Sequence, residues 1–158
     1  KCQLAKPRKL SFREIRDIAQ NEFDKLFPYA CDFLTGVKDY FILKEKYNLS
    51  AFMLHQSCEK LYNTILMVFT NYRPKSHRLQ DLGGRVKSFS MELVTVFPQN
   101  TDDEKECFDL LCRAYIEDYK ITREQLEYLI SRLDILKEMT ERLCKEKIAE
   151  YNAMAENG

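Results

Sequence analysis

The first pair in this sequence that could move a proton is His55 and Glu59, with Gln56 between them and Tyr62 just beyond. Four residues is about one helical turn, so both side chains fall on one flank of a helix. Imidazole and carboxylate at that spacing can share a proton, yet no nucleophile or metal ligand accompanies them to complete an acid/base site. The plainer alternative is a hydrogen bond along a helix edge.

Arg113 is the second candidate, with Asp109 four residues before it and Glu117 four after. A guanidinium fork donates two parallel hydrogen bonds and so suits phosphate. Tyr115, Tyr119 and Lys120 could support that role. The alternative is an ordinary ion-paired surface arginine, which contributes little. The third group is a small basic turn, Arg73, Lys75, His77 and Arg78, with Tyr72 beside it. Basic and aromatic residues interleaved in a loop can hold single-stranded nucleic acid. A merely solvated turn is the simpler reading.

Other chemistries are struck off by what is missing. The sequence has no G-x-x-x-x-G-K-S/T, no G-x-G-x-x-G and no G-x-S-x-G. Neither His55 nor His77 has Glu three residues before it, as a di-metal bundle requires. No pair of cysteines makes a C-x-x-C, so structural zinc is unsupported. No metal or cofactor is expected, and no catalytic residue can be named.

Helices must position these groups. Few Gly and Pro, and apolar residues at helical spacing, make the expected fold all-α, an antiparallel bundle of about five helices. Residues 1–10 read as a linker or domain edge, and 11–26 as an N-terminal helix opened by a Ser11/Glu14 capping box. Pro28 either starts the next helix or kinks one long one. Asn48 is expected to cap a helix to about Thr70 whose core face is Ala51, Leu54, Cys58, Leu61, Ile65 and Phe69. Ser76 should cap a short helix that Gly83-Gly84 weakens or ends. Thr101/Glu104 and Thr122/Gln125 open the last two helices. Leu126, Leu129, Leu133, Leu136 and Leu143 run at near-heptad spacing along the final one, expected to span about 28 residues, roughly 42 Å. The bundle is bounded at 27–151, with a flexible tail over 152–158.

Lys plus Arg and Asp plus Glu balance at 25 each. Nonspecific duplex binders show a basic excess, so any nucleic-acid contact here must be a local patch. The longest apolar run, Ile65 to Phe69, is far too short for a membrane span. Six cysteines without metal-like spacing read as reduced thiols, most of them in the core, and place the protein in the cytoplasm. The chain begins at Lys1 rather than Met, which reads as an excerpt from a longer protein.

The stretch Ala51-Phe-Met-Leu-His-Gln-Ser-Cys-Glu59, continued by Thr70-Asn-Tyr-Arg-Pro-Lys-Ser-His77-Arg-Leu-Gln-Asp-Leu82, resembles the HEPN domain. More narrowly, it resembles the version that follows a nucleotidyltransferase domain in some bacterial proteins. Phe108-x-x-Leu111, Arg113-Ala-Tyr115 and Tyr119-Lys-Ile-Thr-x-Glu124 agree, and the resemblance covers residues 27–148. It implies an antiparallel helical bundle, often dimeric, associated with nucleotide binding or RNA cleavage. It also implies a polar cleft of His55, Glu59, Arg113 and Tyr119, with Arg113 and Lys120 meeting phosphate. A nucleotidyltransferase in the same chain or as a partner would supply the transferase chemistry. Some HEPN proteins are tyrosine targets of that partner, a part Tyr115 or Tyr119 could play.

Two departures qualify what the resemblance implies. Ribonuclease members carry Arg followed after four to six residues by His on the late helix, whereas no histidine follows Arg113. Compared members also have an Ala-Arg-Tyr-containing run between the positions of Glu117 and Asp118. Here the loop is short, or a segment has been lost. Three functions therefore stand open: a nucleotide- or RNA-binding accessory module, a metal-independent ribonuclease with a degenerate motif, and a structural dimerisation bundle.

Overall fold

A computed structural model describes residues 8–115 and 119–157. The junction of Glu117 and Asp118, where the extra run would enter, lies outside them. Among the described residues there are five α-helices: α1 (Phe12–Gly36), α2 (Tyr47–Thr70), α3 (Leu79–Val86), α4 (Asp102–Cys112) and α5 (Arg123–Asn157). A π-helical turn (Val37–Phe41) follows α1 and a 3-10 turn (Met91–Thr95) follows α3. Among the described residues there is no strand. None of the described helices is long and apolar enough to cross a membrane.

Three long helices set the frame. Ser57 Oγ donates to the Ala30 carbonyl, and Met53 packs at Gly36, so α2 runs antiparallel to α1. Arg16 reaches Asn152 while Lys38 pairs with Asp134, so α5 is also antiparallel to α1. It follows that α2 and α5 are parallel. Arg123 bonds Tyr47 at one end and Tyr151 bonds the Val68 carbonyl at the other. Helices α3 and α4 pack on α2, which is buried on nearly every side and forms the centre of the core.

Local chemistry explains most of the element ends. The Ser11/Glu14 and Thr101/Glu104 boxes close in both directions, and Thr122 and Gln125 exchange the same pair of bonds before α5. Helix α1 runs unbroken through Pro28, so the expected boundary at 26/27 falls inside a helix. Pro28 is exposed, as is Asp24, whose carbonyl loses its partner towards solvent rather than in the core. Asn48 does not cap α2. Glu45, at φ 58°, turns the chain there, and Lys46 stands at the N-cap position.

Three further expectations need correction. Helix α3 runs through both glycines to Val86, because Gly83 lets the Tyr62 ring lie against the helix backbone. Ser76 does not cap α3; Arg78 is at that position, and Ser76 Oγ bonds the Arg78 amide and Asp81. Helix α5 has 35 residues and continues to Asn157, through most of the stretch expected to be a flexible tail. Tyr151 on α2 and Asn152 on α1 hold its last turns. Its buried stripe keeps the heptad to Thr140 and then leaves it: Cys144, Ile148 and Tyr151 are buried, while Leu143 is only partly so. A straight α-helix drifts about 20° per heptad, and the inward face drifts with it.

Candidate functional site

Helix α2 ends at Asn71, whose left-handed backbone (φ 58°) closes the last turn through its N–H to the Met67 carbonyl. The chain then folds back, and Pro74 is buried against the bundle. This reversal carries Arg73, His77 and Arg78 to the flank of α2 where His55, Gln56, Glu59 and Lys60 lie. Tyr115, just beyond α4, closes the other side. Together they line a cleft of about 440 Å³.

At its centre His77 Nδ1–H donates to Glu59 Oε1 at 2.8 Å. Glu59 is 4 % exposed, so its carboxylate depends on this donor. An ionised carboxylate only accepts, which places a proton on His77 Nδ1, and the rest of the His77 side chain is mostly exposed. His55 is 3 % exposed and does not bond Glu59; the edge-to-face contact of its ring with Tyr115 has a centroid distance of 5.9 Å. Burial holds its pKa below the ordinary histidine value, although Glu59 opposes the shift. The ring is therefore neutral near pH 7.

Lys60 spans two regions. Its ammonium donates to Gln56 Oε1 at 3.2 Å and lies over the Tyr29 and Phe33 rings at 5.0 and 5.4 Å. Burial lowers its pKa from the ordinary lysine value, and Glu59 partly restores it. Lys60, Arg73 and Arg78 are three cationic side chains facing a floor with one carboxylate. That excess attracts anions. A second cavity, of about 360 Å³ at the start of α4 and α5, is lined by Asp103, Glu104, Glu106 and Glu124, which repel them.

Of the sequence candidates, His55, Glu59 and Tyr115 come together in the cleft. Arg113 and Lys120 are exposed and do not line it, and the Arg113 guanidinium pairs with Asp109 at 2.8 Å. Tyr119 is buried with its hydroxyl donated to the Leu110 carbonyl, and burial raises its pKa. It is not among the residues that line the cleft. Arg73, His77 and Arg78 read as a solvated turn in sequence because their approach to α2 depends on the reversal at Asn71. Pro74 within the basic run was the available signal, since proline fixes φ and stiffens a loop. Among the described residues no group of three or more His, Cys, Asp or Glu is placed to hold a metal ion.

Compared with protein families, residues 24–147 match the HEPN domain. The chain belongs to the HEPN family. The matched span of this HEPN domain takes in the cleft, from α2 through the basic turn to Tyr115. A search of curated proteins finds none that matches the chain.

Proposed function

We propose that this HEPN domain is a nucleotide- or nucleic-acid-binding accessory module that works in the cytoplasm with a nucleotidyltransferase domain, in the same chain or as a partner. The observation that supports this most is the convergence of Lys60, Arg73 and Arg78 on one cleft of nucleotide size. The guanidinium groups would grip phosphate oxygens, and Lys60 would add a point charge. Arg113 and Lys120 stay in the reading as charges on the approach, Arg113 having first to leave Asp109. Calorimetric titration with ATP, GTP and a short single-stranded RNA tests this. Arg73→Ala and Arg78→Ala are expected to weaken binding by about tenfold or more each, about 1.4 kcal/mol. Absence of binding by the wild type, or indifference to both substitutions, would move the reading to a structural bundle.

A homodimer is part of the reading. Leu49 and Phe52 are exposed on α2, and at helical spacing they share a face with Gln56 and Lys60, so a partner seated there would border the cleft. Light scattering checks this: Phe52→Glu should shift the protein to monomer.

A second reading, the metal-independent ribonuclease, draws on the Glu59–His77 pair. His77 Nε2 could take a proton from an RNA 2′-hydroxyl while Arg73 and Arg78 hold the phosphate. RNA turnover lost in His77→Ala would favour it, and full turnover in that variant would end it.

A further inference from the structure

Hydrogen bonds along the cleft floor fix the state of His55. Lys60 donates to Gln56 Oε1, and an ammonium cannot accept, so the amide oxygen faces Lys60 and the NH2 group faces the other way. That nitrogen lies 3.4 Å from His55 Nδ1. A donor directed at Nδ1 requires Nδ1 to be unprotonated. In a neutral ring the proton then sits on Nε2. His55 Nε2 is buried and has no hydrogen-bond partner among the described residues. It is a fixed donor without an acceptor, and buried donors are seldom left so.

The His55 ring lies beside an aromatic side chain. Tyr115 meets the His55 ring at an interplanar angle of 69° and is itself 64 % exposed. One cleft thus contains a neutral buried donor, an open aromatic ring beside it, and cations around both.

We propose that the cleft is divided, with Lys60, Arg73 and Arg78 taking the phosphates and a nucleobase stacking on Tyr115 while it accepts from His55 Nε2–H through a carbonyl oxygen or ring nitrogen. The inference rests on the phosphate reading above and adds the ligand's other end. A phosphate is the wrong occupant for the floor. It would have to shed its water and approach the buried Glu59 carboxylate, whereas a planar neutral acceptor avoids both costs. The phosphate stays where solvent and guanidinium groups share it. Base stacking on an exposed tyrosine is tolerant of sequence, so the single His55 donor would supply the selection for an acceptor-bearing edge.

Calorimetry with GTP and with inorganic tripolyphosphate separates the two ends. Wild type should bind GTP about tenfold or more tightly than tripolyphosphate. His55→Phe keeps a ring against Tyr115 but has no donor, and Tyr115→Leu removes the stacking face. Each should cut that preference by about fivefold or more and leave tripolyphosphate binding within about twofold. A preference for GTP unchanged in both variants, with tripolyphosphate still bound, overturns the base subsite and leaves the phosphate reading intact. Failure of the wild type to bind either ligand overturns both. If His55→Phe does not fold, wild type compared on GTP and on ribose triphosphate lacking the base decides the matter, equal affinities overturning the inference.

Discussion

Glu59 and His77 are joined by a single 2.8 Å hydrogen bond across a steep gradient of exposure, the carboxylate buried and the imidazole side chain 78 % open. Removing the donor strands the buried partner. His77→Ala is therefore expected to destabilise the protein by about 1.5–3 kcal/mol, the range for hydrogen bonds to charged groups. Glu59→Gln, whose amide oxygen can still accept, should cost less. Urea unfolding of the two variants checks the order.

Acid should weaken the fold through His55. Burial lowers its pKa, so between the ordinary histidine value and its folded value the unfolded chain binds more protons than the native one. Stability then falls as pH falls through that window, and the melting temperature should drop from about pH 7 to pH 5. His55→Phe should flatten this part of the profile. Glu14 acts elsewhere: its bond from Arg8 lowers its pKa to about 2, so its contribution is lost only in stronger acid.

Neighbouring glycines in α3 should respond differently to alanine. A Cβ at Gly84 meets nothing within 4 Å, so Gly84→Ala should stabilise by about 1 kcal/mol through helix propensity alone. At Gly83 a Cβ would come within 3.3 Å of the buried Tyr62 hydroxyl. Gly83→Ala should gain less or lose stability, and paired thermal melts measure the difference.

Tyr119→Phe deletes a buried hydroxyl bonded to the Leu110 carbonyl. A loss of about 1 kcal/mol in stability is expected, with nucleotide affinity unchanged. Altered affinity at constant stability would instead place Tyr119 in the site.

Cys58, Cys107, Cys112 and Cys144 are buried, and burial pushes the Cys112 and Cys144 thiols up to about 12. Thiolate is the reactive form, so these four should ignore a disulfide reagent at pH 8 until denaturant is added. Timed thiol titration checks it.

The sequence carries the helices plainly where a local signal exists. Thr101/Glu104 and Thr122/Gln125 each place a helix start within one turn, and the Leu126–Leu136 stripe names its own core face. Arg113 and Asp109, four apart, do pair. What local patterns could not deliver was set by contacts distant in sequence. Gly83 marks an approach by Tyr62, and the helix continues past both glycines to Val86. Glu59 finds its donor eighteen residues away in His77 rather than one turn back in His55. The cleft was thus half legible: the α2 side from helical spacing, the basic side only once the chain had turned at Asn71.

The π-helical turn at Val37–Phe41 has a consequence for how such a chain can change over time. Its i→i−5 bond, from the Ile42 amide to the Val37 carbonyl, accommodates one residue more than an α-turn would. Val37 and Ile42 are both buried, five positions apart, where an α-helix would bring the fourth position inward. A one-residue deletion here would make Ile42 the fourth position after Val37, so an ordinary α-turn would keep it buried. At this corner the turn itself can absorb the loss of one residue, so chain length can change here without exposing the core.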